Sequence, residues 1–532
     1  MRRGVLTCLT VVAALLAILV FSRKQPLLQA ATPFTKNGTL ISVPERGDFQ
    51  AALDAAAPGD TIVLSGGSTY TGHFVLPAKS GNAVITIRGS ESSRLPPDNT
   101  RVSPQTAAFM PKIVCSQCPA ISAAPGAHHY RFRGVEIHPA EARYADELIE
   151  LGVFEKNTDR QPHDFEFDQV YVHGDPAKGT KRGLALNGGR TVVRNSYFSD
   201  FKSDFQDSQA ICGWSGTGPF RIINNYLEAS GENILFGGAA PSVPNLVPSD
   251  IEVLYNYLRK PLIWKKVWRV KNLFELKDAQ RVTIRYNILE NNWEGAQNGF
   301  GVLFTVRTCE AGDMPWAVVK DVNFSYNILR GSHQGINILG RDDARQPCKM
   351  NPPIAGQASD IQISNNLLED LPDNGASVQV LSGAERITID HNTMLQSGMV
   401  MVMAGKPSSS IVFTNNISPH NKYGVFGDAK GSGNRAIEYY LYDVVFRNNV
   451  IAGANPRDYP AHNFYPGSIE DVGFTDPSEH VYSLAPSSKF KGKGTNGTDP
   501  GVDFDTLHRK TANVVKGVLT AEDAAEDGFK AR

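Results

Sequence analysis

Lys277, Arg307 and Arg341 each close a short apolar segment, in NLFELK (272–277), GVLFTVR (301–307) and GINILGR (335–341). ENILFGG (232–238) is a fourth segment of the same kind. If these are equivalent strands of successive turns, Phe274 and Leu276 point inward, leaving Glu275 and Lys277 outside. The next strands then present Thr305 and Arg307, and after them Asn337 and Arg341. Aligned by their ends, the three cations form one column, with Glu275 two positions up the pleat. Cations stacked about 4.8 Å apart repel each other, and a surface needing only solubility would not select them. An anion bound across the column accounts for it. The alternative is a set of solvated charges balanced by Glu275, Glu310, Asp342 and Asp343.

An anionic sugar gives such a column work to do. In β-elimination, cations or Ca²⁺ neutralise a uronate carboxylate, which acidifies the adjacent ring proton for removal by a base. A lysine crowded by arginines and partly desolvated has its pKa pushed down toward general-base strength. Asp204, Asp207 and Gln209 lie one or two turns upstream, and Glu232 and Asn233 open the ENILFGG strand. Asp207, Glu232 and Glu275 make a carboxylate set able to hold Ca²⁺ through oxygen, although no contiguous calcium loop is present. Trp264, Trp268 and Trp293 sit in flanking loops, suited to sugar stacking or to packing a loop on the body of the protein. His333, just before the Arg341 strand, is a candidate acid or base, or an ordinary surface histidine.

What positions these residues is a repeat. Asn195, Asn225, Asn256, Asn287, Asn327, Asn366, Asn392, Asn416 and Asn449 follow one another at steps of 24 to 40 residues. Each sits in a phrase of strand formers followed by an apolar pair, such as RIINNYL, TIRYNIL and VFRNNVI. The phase extends upstream without the Asn, at Gly134 and Gln169. Such a period marks a solenoid whose turns bury their apolar faces by stacking. The phrases are short, β-branched and aromatic, bounded by Gly, Asn, Asp or Ser, which selects strands over helix pairs. The expected fold is all-β, a single-stranded right-handed parallel β-helix of about eleven coils over residues 40–508. The repeated Asn serves either as a left-handed turn residue or as an internal amide ladder. FQAALDAAAPGDTIVL (49–64) predicts an N-terminal capping helix closed by Pro58-Gly59, and residues 509–532 form a polar C-terminal tail.

The chain of 532 residues has a net charge of −1, which gives no support for nucleic-acid binding. Met1-Arg2-Arg3 followed by the apolar run Val5 to Phe21 makes residues 1–31 an export signal, or an uncleaved N-terminal membrane anchor. The protein is therefore expected to be secreted or held in the periplasm or cell envelope, as a monomer. Cys309 and Cys348 are separated by about one turn and can pair across adjacent coils, while Cys115 and Cys118 suit a tight local disulfide. Cys212 is left over.

The segment QAALDAAAPGDTIVLSGGSTYTG, the Asn-marked coils and the closing GTDPGVDFD resemble the pectate-lyase-like superfamily of parallel β-helices. The charged strands resemble in part the chondroitinase B and alginate lyase family. That resemblance implies Lys277 as base, Arg307 as its partner and Glu275 as a calcium ligand. Thr308 stands where that family has a His after the Arg, and the Lys-to-Arg spacing is longer. The function expected is a polysaccharide lyase acting on an acidic polysaccharide. A glycoside hydrolase and a noncatalytic carbohydrate-binding or adhesion rod are the alternatives.

Overall fold

The computed structural model describes residues 34–308, 314–342, 356–372 and 374–526. Strands stack into three long sheets of 15, 13 and 13 members, and successive strands of the chain visit the three sheets in rotation. Among the described residues the named strands of successive coils pair in parallel, and antiparallel strand pairs such as Thr35–Asn37 with Leu40–Val43 lie at the margins. This is a parallel β-helix. Its first coils, Thr69–Thr71 and Lys112–Cys115, lie upstream of the Asn-marked phrases and carry no Asn.

Alternation fills the interior. Phe132 stacks on Phe167 at 5.3 Å, and Phe413 on Phe446 at 4.9 Å, so aromatic and β-branched residues form columns along the axis. The repeated Asn forms the second kind of column. Asn225 donates to Asn256 Oδ1 at 3.0 Å, Asn256 to Asn287 at 3.1 Å, and the chain of amides continues through Asn327, Asn366, Asn392, Asn416 and Asn449 to Asn463. Each main-chain N–H of this row also donates to the next amide oxygen, as Asn287 does to Asn327 at 3.0 Å. Asn195 is not in the row. It has φ 52° and belongs to the preceding left-handed column, with Asn224, Tyr255, Tyr286 and Asn365. Ser196 holds the ladder position instead, its N–H donating to Asn225 Oδ1. Both expected roles of Asn thus occur, in adjacent columns.

The ends are covered. Helix Phe49–Ala55 starts at Asp48, whose carboxylate accepts from Ala51 N–H, and buries Phe49, Ala52 and Leu53 over the first coil. Helix Asn434–Tyr440 places Ala436, Ile437 and Tyr440 over the last. The remaining chain runs back along the second sheet. Leu507 packs on Leu367, and Val514 and Leu519 pack among Tyr226, Tyr255 and Tyr286. Arg101 N–H donates to Gly517 O at 2.7 Å, tying this return to the early loops. Residues 509–526 therefore include apolar anchors spaced among the polar residues that dominated the expectation of a tail.

Cys115 and Cys118 are joined by a disulfide, and Cys212 is free and buried. Cys309 and Cys348 lie outside the described residues, as does the segment 1–31. Among the described residues no helix is long and apolar enough to cross a membrane.

Candidate functional site

Backbone pairing sets the register of the charged strands. Glu232–Phe236 pairs with Asn272–Leu276 through Ile234 opposite Phe274 and Leu235 opposite Glu275. Phe300–Thr305 follows with Leu303 opposite Glu275, and Gln334–Leu339 with Asn337 opposite Leu303. Glu275, Leu303 and Asn337 therefore form one outward row. Lys277 and Arg307 leave the sheet just past its edge, where the Arg307 N–H donates to the Lys277 carbonyl at 3.0 Å.

Around these two residues the charges are nearly all engaged. Glu275 is fully buried; its carboxylate accepts from Asn272 at 3.0 Å and lies 4.0 Å from Lys277 Nζ. Thr305 donates to its other oxygen at 3.4 Å. Arg307 lies 3.3 Å from Asp342, whose second oxygen accepts from Thr308 N–H. Gly238, at φ +85°, leaves room for the lysine: a Cβ there would stand 3.2 Å from Lys277 Cδ. Asp278 points the other way and is buried. Desolvation lifts its carboxyl from 3.8 to about 7, against a hydrogen bond from Val318 N–H.

Lys271, which the alignment of strand ends passes over, organises the upstream half. Its ammonium pairs with both Asp207 and Glu232. Burial opposes its charge, but the two carboxylates outweigh burial and raise its pKa. Burial pushes Glu232 up, against the pull of Lys271. Gln209 donates to Glu232 at 2.8 Å and accepts from Arg182 at 3.2 Å, and Arg182 pairs with Glu147. The guanidinium of Arg182 also lies 4.6 Å from the ring of Trp214. The signal for Lys271 was its place one residue before the strand Asn272–Leu276 that carries Glu275.

The expected calcium set does not fit. Asp207 and Glu232 close on the Lys271 ammonium, and Glu275 on Asn272, Thr305 and Lys277, so a cation already occupies the space between the first two.

Other expected site residues are placed elsewhere. Arg341 turns to Glu385 on a later turn, at 3.6 Å, and so leaves the cation column. Asn233 is fully buried, donating to the Leu227 and Arg259 carbonyls and accepting from Lys260, so its amide is consumed inside the fold. Trp264 and Trp293 are buried with Val270, and the partly buried Trp268 packs against them: a loop core, not a stacking platform. His333 precedes its strand at the end remote from Lys277, beside Gly299. Asn337 keeps its place on the outward row, half-buried, with Oδ1 lacking a hydrogen bond among the described residues. A cavity of about 820 Å³ between the second sheet and the returning segment, lined by Glu369, Leu395, Phe474 and Tyr482, holds none of these charges.

No family model and no curated sequence matches this chain. Solved structures do. A PL6 family alginate lyase superposes with a TM-score of 0.51 at 16% identity, over 87% of this chain and 58% of that one. This chain is a parallel β-helix. A mannuronic acid specific polysaccharide family 6 lyase from human gut microbiota gives a TM-score of 0.51 at 11% identity, covering 89% of this β-helix and 98% of that chain. The catalytic unit of a GH87 α-1,3-glucanase from Streptomyces thermodiastaticus also gives 0.51, at 13% identity, covering 83% and 72%. At these identities the likeness is one of fold, and such a fold hosts several chemistries.

Proposed function

We propose that this protein is a lyase of uronic-acid polysaccharides that cleaves by β-elimination, with Lys277 as the base. The observation that carries the reading is the adjacency of Lys277 and Arg307 across one turn, each beside a carboxylate. Arg307, oriented by Asp342, takes the uronate carboxylate and stabilises the negative charge that develops there. Lys277 is the base that removes the ring proton next to that carboxylate. The C–H electrons become the new C=C bond, the glycosidic C–O pair leaves with oxygen, and the departing oxygen is protonated by the Lys277 ammonium or by water. Glu275 stands beside the buried lysine, and Asn337, two turns on, binds a neighbouring sugar.

In this reading Arg307 does the charge neutralisation that calcium would otherwise supply, so turnover needs no added calcium. The fold likeness to two lyases agrees with this chemistry without selecting it. The protein acts outside the cytoplasm as a monomer, in keeping with the apolar run Val5 to Phe21 and the local disulfide.

Hydrolysis is the second reading, favoured by the buried carboxyl of Glu232, whose raised pKa suits an acid. A panel of alginate, pectate and chondroitin, assayed with calcium and with chelator, decides. A lyase forms an ultraviolet-absorbing unsaturated product. A hydrolase forms reducing ends without that absorbance, and a carbohydrate-binding rod forms neither.

A further inference from the structure

On the second sheet, away from Lys277, two histidines and a glutamate converge. Glu136 and His138 share the strand Glu136–Pro139, two residues apart, with the buried Ile137 between them. Strand Tyr171–His173 pairs with it in the next coil, Glu136 opposite Tyr171 and Ile137 opposite Val172, which brings His173 beside His138. The two imidazoles stack with centroids 4.8 Å apart and planes 16° apart. One ligand atom from each of the three residues lies within 4.8 Å of the others.

Hydrogen bonding fixes the protons. His138 Nδ1 lies 2.8 Å from the Pro139 carbonyl and His173 Nδ1 lies 2.9 Å from the Gly174 carbonyl. A carbonyl only accepts, so both Nδ1 atoms carry hydrogen, which leaves Nε2 of each ring as the atom that meets a proton or a ligand. His173 Nε2 stands 3.1 Å from Glu136 Oε1. Two lone pairs at that distance repel unless a positive species sits on or between them. Lys112 takes only the other carboxylate oxygen, at 2.9 Å from Oε2. A main-chain carbonyl behind each imidazole is the support that metal-binding histidines use to orient Nε2.

We propose that Glu136, His138 and His173 bind one zinc ion, through Glu136 Oε1 and the two Nε2 atoms, with solvent completing the shell. Two imidazoles and one carboxylate suit zinc over calcium or magnesium, which take oxygen ligands. The ion clips two consecutive coils near the start of the solenoid. The competing species is a proton on His173, giving an imidazolium–carboxylate pair and no metal.

The test is zinc titration of the tag-free full chain after chelator treatment, by calorimetry with parallel melting curves. One zinc per chain is expected, with a raised melting temperature that calcium and magnesium do not reproduce. His138→Gln and His173→Gln should each weaken zinc binding by about tenfold or more, with the circular dichroism spectrum unchanged. Lys112→Met should bind at least as tightly as the parent, since the competing ammonium is gone. Should a His variant fail to fold, cobalt absorption of the parent protein substitutes, and a band of low-coordinate nitrogen–oxygen type is expected. Absence of stoichiometric zinc binding overturns the proposal. So does binding that survives both His variants, or that is lost in His163→Gln, which would move the ion to the His129–His163–Asp164 group on the first sheet.

Discussion

The main chain of Arg307 is bonded to the main chain of Lys277, N–H to carbonyl at 3.0 Å, so one turn of the solenoid fixes the origin of both side chains. Residues 30 positions apart in sequence become neighbours through the stacking period alone. The Arg307 side chain is steadied by Asp342, and Glu275 stands 4.0 Å from the Lys277 ammonium.

Asp342→Asn tests that support. The amide can still accept from Thr308 N–H but no longer pairs with the guanidinium. Turnover of the polyuronate should fall about tenfold, in the range of a lost charged hydrogen bond, while the melting temperature stays close to the parent. Steady-state kinetics beside a melting curve checks this.

The Asn ladder is a stability element. Asn287→Ala removes the acceptor for the Asn256 main-chain N–H and side chain and leaves both buried. A loss of about 2 kcal/mol follows from one orphaned buried donor, the Asn256 main-chain N–H, since the Asn256 amide keeps the Ile222 and Leu254 carbonyls. The same change at Asn463, at the end of the row and half-exposed, should cost about 1 kcal/mol. Denaturant unfolding measures both.

Asp278 sets a pH dependence. Its carboxyl ordinarily titrates at 3.8 and is lifted by burial to about 7. Between those values the folded protein holds a proton that the unfolded chain releases, so stability falls as pH rises through the window and levels off above 7. Asp278→Asn should flatten that decline and be more stable than the parent above pH 7. Melting temperatures from pH 4 to 8 check the sign.

Trp264 should behave as core. Trp264→Ala empties the cluster with Val270 and Trp293, and a loss of about 3 kcal/mol is expected for a buried indole. The ratio of KM values among glycans should not move. A change in glycan preference at unchanged stability would instead make the indole a sugar contact.

Much of the architecture was legible because a solenoid writes its period into the chain: one Asn and one apolar pair mark each turn from Asn225 to Asn449. The first coils escaped because Tyr70 and Ile113 sit in phrases without Asn. Asn195 was misassigned by one position because RNS, unlike INN or RNN, places Asn in the left-handed column and Ser196 in the ladder. Lys277 and Arg307 are neighbours because they follow paired strands of the same sheet in consecutive coils. Arg341 shares that sequence position, but its side chain turns to Glu385 on a later turn. Lys271 and Asp278 were missed because their roles depend on partners from distant turns, Asp207 and Glu232 in one case and Val318 in the other. Tryptophans in a charged loop read alike whether they face solvent or each other.

The most direct test is the appearance of unsaturated product from a polyuronate panel with the parent protein, Lys277→Ala and Arg307→Ala, each with calcium or chelator. The parent should generate absorbance on at least one glycan regardless of chelator. Lys277→Ala should lose the activity by at least about a thousandfold, as expected for a general base, while still binding the glycan. Unsaturated product formed equally well by Lys277→Ala, or cleavage that yields reducing ends and no absorbance, would contradict the account.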